Sequence, residues 1–513
     1  MSGASICSRA ADAQAATEPI WPTKEWQTCS PEEQGMDSNE IVKLVDFGAR
    51  RILATPGVTL SSMLDSLLVV RHGKIVVEVY YAPYAAGIPH AVHSVTKAVI
   101  STLMAIASKD GLLDSPRHRV LNFFDRSKIA NVDERKEAIT VQSLLDMTSG
   151  IEWTEPLDGR PDSVIEMERS PDWVKFILDR PMSSAPGDTF NYNSGNPHLL
   201  SAILTKLTGM SALEYAKAKL FGPLGINELY WRQDPQGISS GGYGLYLRAR
   251  DMAKIGYLYP RNGMWEGQEL LPPAWIDKVS HATVDMHASW EPGLRYSNLF
   301  WAFPDKHIYM AVGHHGQVIM VFPDLDIVAV TTGQAYCPLS KLADYISSSV
   351  KSDTALPADT ASATLLANKI RAVSIEKPTD VGPTPKMAPV ISGKVYRFAR
   401  NGVNLKSLSL ILTDPQPHYD VEIYATDATK SDPGFTGPIG LDGLYRKGEL
   451  TDHRVNAVKG TWQDDHTFVI DRLVLGQGEP AERWTLTFDG EKLNVRAKLG
   501  ERPEVSIDSE TGE

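Results

Sequence analysis

Two polar side chains stand three residues apart at the start of an apolar run, Val92-His93-Ser94-Val95-Thr96-Lys97-Ala98-Val99-Ile100. On a helix, positions i and i+3 share a face, so Ser94 and Lys97 point the same way. A hydroxyl beside an amine is the core of an activated nucleophile, because a neutral amine can take the hydroxyl proton. Burial and the positive end of the helix dipole both disfavour the ammonium form of Lys97. The plain alternative is that Ser94 only caps the helix and Lys97 lies in water. A lone Ser-x-x-Lys is common by chance.

Two further segments carry chemistry. Phe190-Asn191-Tyr192-Asn193-Ser194-Gly195-Asn196 follows a Pro186-Gly187 turn and precedes a helical pattern. The Tyr192 phenol can share a proton with a nearby hydroxyl, or it can be a half-buried loop tyrosine bonded to backbone. Gly313-His314-His315-Gly316-Gln317 stands at a strand edge. Glycines there let a ligand approach the backbone, and the Gln317 amide offers an oxyanion donor. The alternative is a hairpin turn with two solvated histidines. No His-Glu-x-x-His spacing points to a metal, and neither a metal nor a cofactor is expected. Gly237-Ile-Ser239-Ser-Gly241 fits the nucleophile-elbow pattern, which needs a strand before it and a helix after it. Asp234-Pro235-Gln236 precedes and Gly242-Tyr-Gly244 follows. Ser239 is therefore read as part of a flexible loop near the site. Trp153 and the Arg250-Asp251 pair are expected to be structural or to line the pocket.

The elements that must position these residues can be read from periodicity. Leu67 to Tyr80 alternates as a hairpin around Arg71-His-Gly73-Lys. A helix should run from Ser94 to about Lys109, with Gly111 as its stop. Helices are predicted over 140–150, 197–208, 211–220, 250–259 and 273–279, with a Ser211/Glu214 capping box. Short strands return at 306–313, 317–322 and 327–332, the last two joined by the turn Pro323-Asp-Leu-Asp326. Strands from both ends of the first 350 residues thus bracket a helical middle. The expected fold is α/β (α+β), a mostly antiparallel sheet covered by helices with a helical subdomain. Residues 351–389 have linker composition with one short helix near 365–373. From about Val390 the pattern is strand and turn, so 390–513 should be a separate all-β domain, a barrel or sandwich. Residues 1–30 read as a disordered start. Met1 to Ala16 ends in Ala-Gln-Ala-Ala but lacks the apolar stretch of a leader, which leaves a trimmed remnant as the other reading.

The order Ser-x-x-Lys, then Tyr192 about 100 residues later, then a His-x-Gly strand about 120 residues after that, resembles the serine β-lactamase and penicillin-recognising hydrolase superfamily. The chain looks most like the class C β-lactamase-related esterases and amidases, including nylon-oligomer hydrolases. Leu144-Leu-Asp-Met-Thr-Ser-Gly150-Ile151, Pro186-Gly187 and Arg248-Ala-Arg-Asp-Met-Ala-Lys-Ile-Gly256 are similar to recurring blocks of that family. The resemblance covers roughly residues 30–350. It implies Ser94 as the acylated nucleophile, Lys97 as its helix partner and Tyr192 as the proton-moving tyrosine. By the same match His314-His315-Gly316 takes the place of a Lys-Thr-Gly strand, and Ser94 N–H with Gln317 N–H would hold the oxyanion. Two departures stand out. Ser194 replaces the Asn of Tyr-x-Asn, and His314 replaces a Lys that would attract a substrate carboxylate. His314 is a weaker, pH-dependent cation. Hydrolysis of a small ester or amide is therefore expected ahead of β-lactam or D-amino-acid peptide turnover, and ahead of a non-catalytic ligand-binding relic.

Bulk properties agree with an ordinary globular chain. Its 513 residues suggest two to four domains. A net charge of -12 argues against nucleic-acid partners, and a small-molecule substrate is the expected partner. Three cysteines, Cys7, Cys29 and Cys337, are too scattered for a disulfide framework. No stretch reads as a membrane span. A cytoplasmic location is the default, with a periplasmic one and homo-oligomerisation left open.

Overall fold

The computed structural model describes residues 19–50, 52–55, 58–60, 62–156, 161–288, 290–425, 434–451, 453–477, 481–499 and 503–510. The residues around the Ala-Gln-Ala-Ala sequence lie outside that set.

Apolar strands at both ends of the catalytic region assemble one nine-stranded sheet. Its order is Gln27–Thr28, Lys74–Tyr80, Leu64–Arg71, Ile327–Gly333, Gln317–Phe322, Ile308–Gly313, Phe300–Phe303, Arg295–Ser297 and Val284–Asp285. All neighbours are antiparallel except the first pair, which is parallel. Successive strand side chains point to opposite faces, and here both faces are covered. Leu68, Val70, Ile319, Val321, Val328 and Val330 join the core on the side of the helix Val95–Lys109. Leu67, Val69, Val318, Met320, Ile327 and Ala329 join a second core under the helices Ser38–Gly48 and Leu339–Ser349. Double-sided burial is why these strands read as continuous apolar runs instead of an alternation.

Local signals place the helices with some trimming. Ser211 and Glu214 form the expected capping box, but the α-helix is only Ala212–Ala216 before it widens into a π turn at Lys217–Phe221. Thr140 caps a helix that ends at Leu145, well before Gly150. Gly209 closes Gly195–Thr208 in the left-handed conformation, as glycine at a helix end allows.

Two segments differ from expectation. Residues 19–30, read as a disordered start, are folded onto the sheet domain. Trp26 is buried, and Trp21 packs on Tyr257 and Trp265. The region 351–389, read as a linker with one short helix near 365–373, holds a longer one, the 15-residue helix Thr360–Ser374. Leu366 of this helix is buried in the second core, and Asn39 Nδ2 donates to Ser362 Oγ at 2.7 Å. Tertiary burial of a few apolar residues outweighs the polar composition of both segments.

The C-terminal region is all β. Ten strands from Val395 to Asp508 follow chain order in sheets of four and six around one shared core. Glu510 N–H donates to the Arg397 carbonyl at 2.8 Å, which brings the last strand back to the first and curls the meander into a barrel. The barrel docks on the nine-stranded sheet domain through Val455, Leu473, Leu475 and Ala481 against Tyr84 and Ile88. Among the described residues no helix is long and apolar enough to cross a membrane.

The helix Ala249–Tyr257 lies so close to the sheet that a Cβ on Gly256 would meet Ile319 Cγ2 and Val328 Cγ1 at 2.6 Å. Gly256→Ala should gain about 1 kcal/mol of helix propensity but lose about 1–3 kcal/mol to overpacking. A lowered denaturant midpoint is the expected net result, measured by equilibrium unfolding.

Candidate active site

Val95 to Ala107 is buried all round and, apart from Lys97, carries no charge. A helix apolar on every face belongs in a core, and this one carries a lysine that is 1% exposed. Ser94 occupies the N-cap position, yet its side chain does not cap the helix. Instead Lys97 Nζ donates to Ser94 Oγ at 2.8 Å and to the Gly242 carbonyl at 2.8 Å. The capping-serine and solvated-lysine alternative is thereby removed. Burial pulls the Lys97 ammonium down to about 8, while the Glu155 charge works in the opposite direction.

Tyr192 completes the group. Lys97 Nζ lies 4.7 Å from its ring centroid, and the phenol is near enough to the Ser94 hydroxyl to be influenced by it. Burial first, and then the Glu155 charge, hold the phenol well above its ordinary value, while Ser94 works the other way. Tyr192 is thus a neutral hydroxyl at neutral pH, able to pass a proton on.

The Leu144–Gly150 block explains how a loop holds Tyr192 in place. Met147 turns the chain with φ 57. Asn191 N–H donates to its carbonyl at 2.8 Å, Gly187 N–H to the Thr148 carbonyl at 2.8 Å, and Ser149 Oγ to Asn196 Oδ1 at 2.9 Å. Asn193 Oδ1 accepts from Gly195 N–H at 2.8 Å, capping the helix that follows.

Three sequence expectations need correction. Ser194 was expected at the substrate. Its N–H and Oγ are instead both bonded to the Glu155 carboxylate, the latter at 3.0 Å, and the residue is buried. The match of His314-His315-Gly316 to the strand beside the nucleophile is displaced by three residues. Strand Ile308–Gly313 ends before them, and they form a tight turn in which His315 has φ 59. Gly313 is the glycine against Ser94: a Cβ there would lie 3.3 Å from Ser94 N and 2.3 Å from the Val92 carbonyl oxygen. A Cβ on Gly316 would meet Ala335 and Cys337 instead. The residues leading into the close approach are therefore Ala311 and Val312, with no cation among them. The Gln317 side-chain amide is spent on the Gly333 carbonyl at 2.7 Å and is no oxyanion donor, whereas the backbone of Gln317 stays beside the close approach, paired across the hairpin with Gly313. The reason is register: glycine spacing is ambiguous in sequence, and the strand ladder decides which glycine meets the serine.

Ser239, the elbow candidate, is fully buried, and its Oγ accepts from Leu213 N–H at 3.1 Å. Its loop is packed, not flexible, since a Cβ on Gly241 would stand 2.0 Å from the Pro197 carbonyl oxygen. Arg250 is paired with Glu78 at 2.7 Å. Trp153 donates its indole N–H to Glu155.

Glu155 is the site residue that sequence reasoning missed. It lies in a loop without a motif, and the only signal was its position two residues after Trp153. An aromatic wall extends from Tyr192 through Trp301 (6.2 Å between ring centroids), Trp290 and Tyr336. Trp290 and Tyr336 are about half exposed, which suits an apolar substrate arm. A cavity of about 510 Å³ lies elsewhere, between the two domains near Tyr84, Glu376 and Tyr445, and its lining includes neither Ser94, Lys97 nor Tyr192.

Residues 50–335 match the Beta-lactamase family. The chain belongs to that family. This beta-lactamase-family hydrolase is 23% identical over 285 residues to the 6-aminohexanoate-dimer hydrolase of Paenarthrobacter ureafaciens, an alignment spanning 52% of this chain and 71% of that protein. Among solved structures it is similar to EstCE1, a hydrolase with promiscuous acyltransferase activity, at 17% identity, TM-score 0.49, 61% of this chain and 99% of that one. It is also similar to a D-stereospecific amidohydrolase from Streptomyces sp., at 15% identity, TM-score 0.47, 61% and 98%.

The charge arrangement predicts a pH profile. If neutral Lys97 is the base, kcat/KM should rise about tenfold per pH unit up to about pH 8 and then level off. Because the Glu155 charge raises the Lys97 value, Glu155→Gln should shift that limb to lower pH. A pH–rate series on both proteins measures it. Ser239→Ala should leave the rate on a p-nitrophenyl ester unchanged.

Proposed function

We propose that the protein is a serine hydrolase that cleaves a small ester or amide through an acyl-enzyme on Ser94. The observation that carries this reading is the buried Lys97 amine 2.8 Å from Ser94 Oγ, with a value pulled down to about 8. A lysine that sheds its proton near neutrality is a base matched to its task.

In the proposed reaction Ser94 Oγ attacks the substrate carbonyl carbon, and its proton passes to Lys97, with Tyr192 in the relay. The carbonyl π pair moves to oxygen. The oxyanion is taken up by backbone N–H groups, for which we propose Ser94 and His314. His314 N–H is the first donor after Gly313, whose Cβ position is 3.3 Å from Ser94 N. Gln317 N–H, from the residue paired with Gly313 across the hairpin, is the alternative second donor. Collapse of the intermediate breaks the bond to the leaving oxygen or nitrogen, which takes a proton from Tyr192 or Lys97. Water then attacks the acyl carbon, giving its proton to the same pair, and Ser94 Oγ leaves with a proton restored.

The relative named for 6-aminohexanoate-dimer hydrolysis makes a linear amide the first amide to test. The aromatic wall beside Tyr192 supports an apolar acyl or leaving-group arm. The Ala311-Val312-Gly313 approach carries no lysine, and the nearby His314 and His315 are weaker, pH-dependent cations, which ranks β-lactams and D-amino-acid peptides below simple esters and amides. A turnover panel of p-nitrophenyl esters, linear amides and nitrocefin checks that ranking.

Ser94→Ala should lower kcat on the order of 10⁴-fold or more and abolish labelling by a fluorophosphonate probe, read by intact mass. Tyr192→Phe should cost about 10²–10⁴-fold, the range of a general acid–base group. Esterase turnover persisting in Ser94→Ala would refute the assignment.

A further inference from the structure

The segment that delivers Ser94 is held from two sides, and one of those sides is the C-terminal domain. His90–Ala91 pairs with Leu245–Leu247, and Val92 N–H donates to the Leu245 carbonyl at 2.9 Å. From the other side, Ala91 N–H donates to the Gly476 carbonyl at 2.6 Å. The Gln477 backbone lies near the His93 ring and favours its charged form, and the Gln477 side-chain oxygen accepts from the Tyr246 hydroxyl at 2.8 Å. Gly476 and Gln477 follow directly on the barrel strand Thr467–Leu475.

The fit at this contact is close. Gly476 has φ 83, and a Cβ there would stand 2.0 Å from the Pro89 carbonyl oxygen. His93, immediately before Ser94, has φ 45. That conformation is uncommon for a non-glycine residue, although histidine reaches it more readily than most, and packing around it holds it in place. Around it stand the rings of His314 and His315, 6.0 and 6.1 Å away edge-on, and the turn at Gly476, which takes the Ala91 N–H two residues earlier. The backbone angle at His93 sets where Ser94 N–H and Oγ point, so a contact on His93 acts on the nucleophile one residue later.

We propose that the C-terminal domain is part of the catalytic apparatus: its Gly476–Gln477 turn is a positioning element that clamps Pro89–His93 and thereby aims Ser94 at Lys97 and Gly313. The inference rests on Ser94 being the nucleophile. It gives the barrel a task in the reaction that docking alone would not require. Docking is already provided by the apolar contact of Leu473, Leu475 and Ala481 with Tyr84 and Ile88.

The test uses the full chain with Gly476→Ala, and Gly490→Ala as its reference. Gly490 also has positive φ, 61, but open space around its Cβ position, so it shares the backbone strain without the clash. Gly476→Ala, folded by near-UV circular dichroism, should lose about tenfold or more in kcat on a p-nitrophenyl ester, with KM within about twofold. Fluorophosphonate labelling of Ser94 should slow by the same factor, and Gly490→Ala should keep wild-type rates. Tyr246→Phe removes the bond to the Gln477 side chain while keeping the ring, and should lower kcat about threefold. It serves as the deciding variant where Gly476→Ala does not fold. Wild-type kcat in the deciding variant, or a change in KM alone, overturns the proposal. A wild-type protein that is not labelled at Ser94 overturns the nucleophile assignment instead, so the two failures are distinct.

Discussion

One buried amine organises this protein. Lys97 sits inside a helix that is otherwise apolar on every face, and a charged ammonium there is costly. The cost is offset in two ways: the amine sheds its proton easily, and its hydrogen bonds are met by Ser94 Oγ and the Gly242 carbonyl. Each partner imposes a demand on the fold. Ser94 must stand at the helix start without capping it, and residues 237–244 must fold inward far enough to present a backbone oxygen. The same burial that makes Lys97 unstable as a cation makes it useful as a base.

Tyr192 and Glu155 complete the electrostatics from the helical subdomain. The carboxylate is held by Trp153 Nε1 and by the backbone and hydroxyl of Ser194. From there it opposes proton loss at both Lys97 and Tyr192. The loop carrying Tyr192 has no regular structure and takes its rigidity from bonds to Met147, Thr148 and Ser149. This gives the Leu144–Gly150 block a physical role: it is the template on which the Tyr192 loop is laid.

Much of the fold was legible because it rests on local rules. The Arg71–Lys74 turn, the Ser211 capping box, the Gly209 helix stop and the apolar strand runs are set by neighbouring residues, and each stands where it was expected, although several helices are shorter. The folding of residues 19–30 and the docking of the helix Thr360–Ser374, expected only as a short helix near 365–373, were not legible. Both segments are polar on average and are held by a few buried contacts, such as Trp26 and Leu366, with partners far away in sequence.

The site divides the same way. Sequence alone determined that Ser94 and Lys97 share a helix face and that Tyr192 precedes a helix in a turn-rich loop, because spacing, caps and turns act over three or four residues. Tertiary structure alone decided that Lys97 is buried against Ser94, that Gly313 and not Gly316 packs against Ser94, that Ser194 serves Glu155, and that Gly476 from another domain takes the Ala91 N–H. Sheet register and domain docking join residues hundreds of positions apart, and the free energy that selects those pairings comes from burial spread over the whole core, which no short window of sequence contains.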